Sequence, residues 1–173
     1  MRRLIGILAL VVVSAGCSKR EIIHPEPTEE GTISLTPVVN MAEGRSALQL
    51  VRGFHQVEQN AWRWTMGKFA ITLRPPEGSR QRGAKLFVKF AALETTISRL
   101  GPITLTAVHG KQSLGFYTAK AAGQYTFQAD VSSEALQEET ATFDFVLDKF
   151  LPAGTLDGRE LGVVVSSIGL EVR

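Results

Sequence analysis

The chain has 173 residues, a formal charge of +2 and 44% hydrophobic residues, which suits one folded domain with a buried core. Its single cysteine, Cys17, excludes an intrachain disulfide and any site built from two thiolates. The 19 basic and 17 acidic residues are too evenly balanced to predict a nucleic-acid-binding protein.

The N-terminus has the pattern of a secretory signal. Arg2 and Arg3 precede the apolar run from Leu4 to Val13, and small residues follow it. This run is ten residues long, whereas a helix that crosses a bilayer needs about 20. We therefore expect residues 1–16 to be removed as a signal peptide. Without Arg2 and Arg3 the chain carries 17 basic and 17 acidic residues and is formally neutral.

The end of this signal, Ser14-Ala15-Gly16-Cys17, resembles a bacterial lipobox. The resemblance implies a lipoprotein whose Cys17 thiol carries diacylglycerol, with palmitate-type acyl chains as the membrane anchor. Ser18 replaces the aspartate that favours inner-membrane retention, so the outer membrane of the cell envelope is the expected location. The alternative is a free cysteine that ends an ordinary signal peptide.

The mature chain is predicted to begin with a tether. Residues 17–31 are polar after the cysteine and include Pro25 and Pro27, which suits a flexible segment that separates the membrane from a domain at 32–173.

That domain shows the period-two hydrophobic alternation of half-buried strands. Six runs place their apolar residues on one face: Phe69, Ile71 and Leu73; Leu86, Val88 and Phe90; Ile103, Leu105 and Ala107; Tyr125, Phe127, Ala129 and Val131; Phe143, Phe145 and Leu147; Ile168, Leu170 and Val172. Their spacing predicts an all-β fold, a jelly-roll-like antiparallel β-sandwich of eight or nine strands.

Local patterns add three smaller predictions. Ser132 or Ser133 caps one or two helical turns, and His109-Gly110-Lys111 forms a hairpin turn. The ambiguous stretch from Asn40 to Leu50 is interpreted as a strand that leads to Gly53.

Two further motifs carry a resemblance to a known family. The first combines Gly53-Phe54 with Glu58 and Trp64, and the second is Asp157-x-Arg159-x-Leu161-Gly162 at the predicted start of the last strand. Together they resemble a carbohydrate-binding-like jelly-roll domain that is found in cell-envelope proteins and appended to some glycosyltransferases. The resemblance implies the sandwich fold and a carbohydrate-related setting.

Trp62 and Trp64 are the first candidate ligand-binding residues. Both lie on one face of a predicted strand, with Arg63 on the other, and a tryptophan ring can stack on a sugar. The alternative is that one or both rings pack in the core.

Glu58 and Arg159 are candidates through the resemblance, as a polar pair that hydrogen-bonds sugar hydroxyls. The alternative is a structural ion pair, in which the guanidinium meets a carboxylate such as Asp157 or Glu58. His55, beside Phe54, is a further candidate for a ligand contact.

No metal site, cofactor or catalytic motif is predicted. His24, His55 and His109 lack metal-ligand spacing, and no nucleophile elbow or phosphate-binding glycine loop occurs. A glycosidase with two carboxylates in proximity stays an alternative. The arginines between residues 74 and 82 form either a site for an anionic polymer or a solvated loop. They are Arg74, Arg80 and Arg82.

The sequence thus predicts a non-enzymatic, lipid-anchored envelope protein whose sandwich binds glycan or supports a glycan-handling assembly. The alternative is an accessory subunit of an envelope complex that binds protein and has no affinity for glycan.

Overall fold

A computed structural model of the chain describes residues 34–173. The predicted signal peptide, the lipidation site Cys17 and the predicted tether lie outside the described residues. Between residues 34 and 173, no helix is both long and apolar enough to cross a membrane.

Strands account for most of the described chain. They are β1 (Val38–Asn40), β2 (Leu50–Glu58), β3 (Trp62–Leu73), β4 (Ala84–Ala92), β5 (Ile103–His109), β6 (Gln112–Ala119), β7 (Gly123–Val131), β8 (Ala141–Leu147) and β9 (Val164–Val172). Two short helices, α1 (Ser79–Arg82) and α2 (Glu94–Leu100), flank β4, and 3₁₀ turns cover Gly44–Gln49 and Ser133–Leu136.

The strands pair antiparallel in the order β6-β5-β8-β3-β9-β4-β7, with β1 beside β9 and β2 beside β3. Only Arg63 and Trp64 of β3 pair with β9, so the two halves of the sheet are joined by a short link and fold over each other. At the far ends, the rings of Tyr117 in β6 and Tyr125 in β7 meet at 5.5 Å. The result is an antiparallel β-sandwich, as the alternation predicted.

One layer of the sandwich contains β2, β3, β8, β5 and β6, and the other contains β1, β9, β4 and β7. Alternate side chains of both layers meet in the main core. Phe69 and Phe145 stack there at 4.8 Å, and Phe90 contacts Tyr117 across the layers at 6.0 Å. Because the inward positions alternate, the outward positions of each strand are fixed as well, and these carry the candidate site.

The local predictions have mixed outcomes. The hairpin at Gly110-Lys111 is confirmed by the pairing of His109 with Gln112. The helical turn after Ser132 is confirmed, but Ser132 makes no side-chain hydrogen bond that caps it. The predicted strand from Asn40 to Leu50 is wrong over most of its length, because Gly44–Gln49 forms a 3₁₀ turn. Gln49 stabilises that turn by donating from its side-chain amide to the carbonyls of Thr36 and Thr72, at 3.0 and 2.9 Å.

Two predictions at the C-terminus also need correction. The motif Asp157–Gly162 does not open the last strand, since β9 begins at Val164 and the motif lies in the preceding connection. Val172 is 38% exposed and is not a core residue, because the strand has run past the edge of the core.

The structure requires a glycine at position 53. Its φ is +75°, and a Cβ there would lie 2.7 Å from Cα of Phe69 and would also collide with the carbonyl oxygen of Lys68. A glycine therefore lets β2 press closely against β3 where their register shifts.

Candidate functional site

The connection from β8 to β9, residues 148–163, is called the strap here. Leu151 and Leu161 pair through two backbone hydrogen bonds of 2.8 and 2.9 Å, which close the loop between them. Gly162 then lies against β3: a Cβ there would be 2.8 Å from Oγ1 of Thr65 and 2.9 Å from the carbonyl oxygen of Met66. The strap is thus fixed at one end of the sandwich, beside Trp62 and Trp64.

Arg159 of the strap is bound to two carboxylates. Its guanidinium donates to Glu58 at 2.7 Å and to Asp157 at 2.8 Å, and its backbone N–H also donates to Asp157 at 2.8 Å. Hydrogen bonds from Arg159 lower the pKa of Asp157, and the two carboxylates raise the pKa of Arg159. Arg159 therefore has both of the partners that the structural alternative offered, and its donors are largely occupied.

His55 is also held by the strap. Its Nε2 lies 2.6 Å from the carbonyl oxygen of Glu160, so this nitrogen carries the hydrogen that the carbonyl accepts. The carboxylate of Glu160 accepts from the N–H of Gly67 at 2.7 Å. The carbonyl of His55 accepts from Arg63 at 2.9 Å. These bonds give His55 a part in attaching the strap to β2 and β3.

The two tryptophans lie on the same face of β3, as predicted, with ring centroids 6.3 Å apart in an edge-to-face arrangement. Trp64 is only 6% exposed and packs with Leu151, Leu161 and Val164 in a small second core. Trp64 therefore packs in a core, as one of the two predictions for it stated, and a ligand cannot reach its ring. Trp62 is half-buried at the margin of this core.

Trp62 forms one wall of a groove of about 320 Å³ on the outer surface of the layer that contains β9, β4 and β7. In β4, Phe90 faces the core, so Lys89 and Ala91 face outward, and they pair with Thr126 and Gln124 of β7. The side chains that face this groove are Trp62, Lys89, Ala91, Gln124, Thr126, Val164 and Ser166. An aromatic ring thus stands beside an apolar floor and several hydrogen-bonding groups. We call this the Trp62 groove.

A larger cavity, of about 1060 Å³, lies at the opposite end of the sandwich, between residues 34–37, 74–81 and 139–140. Arg74 and Arg80 line it together with Glu77 and Glu139, so its charges balance. Arg82 is exposed and does not line this cavity. With balanced charge, the cavity has no electrostatic preference for an anionic polymer.

The described residues offer little for catalysis. Between residues 34 and 173, no three His, Cys, Asp or Glu side chains lie where they could share a metal ion. Glu58 and Asp157 both bind Arg159, and the pKa of Asp157 is lowered, whereas a general acid needs a raised pKa. The absence of enzymatic activity stays a prediction.

The sequence did not predict a role for Lys89, Gln124, Thr126 or Ser166. Nothing in their local sequence marks them, because they face the same groove as Trp62 only through the register of four strands. The alternation that placed Phe90 inward did imply that Lys89 faces outward. It could not say which strands would be its neighbours.

No model of a protein family matches the chain, and no curated protein matches it. Solved structures similar to it include "Carbohydrate-Binding Module CBM36 in complex with calcium and xylotriose", at 9% identity over 60% of this chain and 72% of that one, with a TM-score of 0.38. A second, titled "CBM4 structure and function", has 11% identity, covers 79% of this chain and 85% of that one, and has a TM-score of 0.36.

A third is a latent aurone synthase, a polyphenol oxidase, with 12% identity and a TM-score of 0.45. The match covers 72% of this chain and 28% of that enzyme, so the chain corresponds to little more than a quarter of it. All three likenesses are distant and concern the arrangement of strands alone.

Proposed function

We propose that the chain is a non-catalytic carbohydrate-binding protein of the bacterial envelope, anchored by lipid on Cys17, and that glycan binds in the Trp62 groove. The observation that carries the proposal is the composition of this groove: a half-exposed tryptophan faces hydrogen-bonding side chains across an apolar floor. A sugar ring needs this combination, because its C–H face stacks on an aromatic ring while its hydroxyls need donors and acceptors.

The shape of the groove supports a glycan over a compact small molecule. Its volume of about 320 Å³ is at the lower end of ligand sites, and it crosses the surface of a sheet without an enclosing lid among the described residues. A sugar unit of a longer glycan can lie against such a sheet surface.

The position of the groove suits an anchored protein. The backbone N–H of Arg74 donates to the carbonyl of Thr36 at 3.2 Å, so the described chain enters the sandwich beside the C-terminal end of β3. Trp62 begins β3, 12 residues before Arg74, which corresponds to about 40 Å along the strand. With the membrane anchor at Cys17, the Trp62 groove is presented at the end remote from the point of entry.

The test is binding of a panel of neutral and acidic oligosaccharides to the mature protein in detergent, by isothermal titration calorimetry. We expect one class to bind, and Trp62→Ala to weaken its binding at least tenfold, since the stacking surface is lost. Phe116→Ala, which removes an exposed aromatic ring outside the groove, is the matched control. The proposal is wrong if no glycan binds, or if Trp62→Ala binds as tightly as the wild type.

One observation favours the second candidate, a protein-binding accessory subunit. Phe116 is 72% exposed on the outer surface of the other layer, in register with Thr106 and Val146. An exposed ring on a flat sheet can contact a protein partner. If Phe116→Ala releases proteins that co-purify with the wild type while Trp62→Ala does not, this candidate replaces the first.

A further inference from the structure

The Trp62 groove has a charge preference. Among the described residues that line it, Lys89 is the only charged one, and none is a carboxylate. A groove with one cation and no anion favours a ligand that carries negative charge.

The ammonium of Lys89 is available to such a ligand. No Asp or Glu oxygen between residues 34 and 173 lies within 4.0 Å of its Nζ, which lies 5.7 Å from the ring centroid of Phe87. Phe87 and Lys89 are successive outward residues of β4, and Phe87 lies just outside the groove, so the ammonium is at the margin of the groove. The flexible lysine stem lets this charge turn toward a ligand in the groove.

The carboxylate of Glu58, which lies beside Trp62 on the neighbouring strand, is bound to a cation of the protein. Glu58 pairs directly with Trp62 across β2 and β3, and therefore faces the same side. Its carboxylate accepts from Arg159 at 2.7 Å. Arg159 also binds Asp157, so these three side chains together keep one net negative charge, and Arg159 offsets the charge of Glu58 beside Trp62 without cancelling both carboxylates.

We infer that the ligand of the Trp62 groove is an acidic glycan, whose carboxylate or sulfate binds Lys89 while a sugar ring stacks on Trp62. This inference rests on the proposed function. Trp62 and Lys89 belong to β3 and β4, which flank β9, so they face each other across about 10 Å. A short stretch of glycan can contact both.

The test compares a galacturonate oligosaccharide with its methyl ester, which has the same backbone and no charge, alongside alginate and sulfated dextran oligosaccharides. Binding to the mature protein in detergent is measured by calorimetry at two salt concentrations. We expect the acidic forms to bind at least tenfold more tightly than the uncharged ester, and added salt to weaken them. Lys89→Gln should remove this difference, whereas Lys85→Gln, outward on the same strand and outside the groove, should keep it.

The outcomes separate the inference from the proposed function. Equal binding of acidic and neutral glycans, or an acid preference that survives in Lys89→Gln, overturns the inference and leaves glycan binding in place. Failure of every glycan, charged or neutral, to bind overturns the proposed function as well.

Discussion

Arg159 binds two carboxylates, and only its contact with Glu58 connects the strap to β2. Asp157 is two residues away, so its ion pair is local, whereas Glu58 lies 101 residues earlier. The side chain of Arg159 is 36% exposed, so solvent weakens both pairs. The long-range contact is therefore the one that stabilises the attachment of the strap.

We expect Arg159→Ala to lower the free energy of unfolding by about 1 kcal/mol, because the carboxylate of Glu58 loses its charged donor. Urea denaturation of the purified protein measures this. Arg99→Ala, which removes an exposed arginine from α2, is the matched control and should change stability by less than about 0.5 kcal/mol. Equal effects of the two substitutions would show that the pair with Glu58 is not stabilising.

The ion pair of Asp157 with Arg159 makes the stability of the protein depend on pH. Hydrogen bonds from Arg159 lower its pKa below the ordinary 3.8, so the folded protein binds this proton less tightly than the unfolded chain does. The contribution of Asp157 is complete above about pH 3.8 and disappears as the pH falls through the lowered value. We expect Asp157→Asn to be less stable than the wild type at pH 7, and this difference to vanish in acid. A difference that stays constant from pH 7 to pH 2.5 would contradict the assignment.

At the scale of elements, the strap depends on a close approach to β3. A Cβ on Gly162 would contact the Thr65 hydroxyl and the Met66 carbonyl at less than 3.0 Å, and would also collide with the side chain of Leu147. We expect Gly162→Ala to destabilise the protein by about 1 to 3 kcal/mol, because the strap must move away from β3. Thermal melts measure this.

Gly158 provides the comparison for that substitution. It lies in the same strap, its φ is not positive, and a Cβ there would have no neighbour within 4 Å. Gly158→Ala should therefore melt close to the wild type. If the two alanine variants melt together, the strap tolerates displacement and is not fixed by Gly162.

The sequence predicted the strands well, because alternation records which side chains enter a core. Phe69, Leu86 and Phe143 are buried as their pattern indicated. The sequence could not predict how exposed a half-buried residue is, since its exposure depends on which elements cover it. Trp62 and Trp64 have the same local pattern, but only Trp64 is covered by the strap.

The same limit applies to the connections. Leu161 was predicted to lie at the start of the last strand, but its partner is Leu151 in the same loop, so the two residues form an isolated bridge in the strap. Glu58 could be predicted only as one of two possible partners of Arg159, since the sequence does not give the distance between β2 and the strap.

At the scale of the whole molecule, the proposal combines a lipid anchor with a domain whose groove is remote from the point where the chain enters it. Each buried CH₂ of an acyl chain contributes about 0.8 kcal/mol to membrane binding, and two or more chains make the anchor durable. The formally neutral mature chain adds no general attraction to anionic lipid. In this proposal, the location of the protein therefore depends on the lipid at Cys17.

We expect mass spectrometry of the N-terminal peptide, from protein expressed with its own signal in a bacterium, to find cleavage before Cys17 and a lipid adduct on its thiol. Cys17→Ser should leave the membrane fraction, because the thiol that accepts the lipid is missing. An unmodified Cys17, or cleavage at another position, would contradict the proposal that the protein is a lipoprotein.

The most direct test of glycan binding in the Trp62 groove uses the fluorescence of that residue. Trp62 and Trp64 are the only tryptophans in the chain, so Trp64→Phe leaves Trp62 as the sole tryptophan, which is excited selectively, while an aromatic ring still fills the second core. We predict that titration with acidic oligosaccharides shifts the emission of Trp62 saturably and protects it from acrylamide quenching. Unchanged emission and unchanged quenching with every acidic and neutral oligosaccharide would contradict the account.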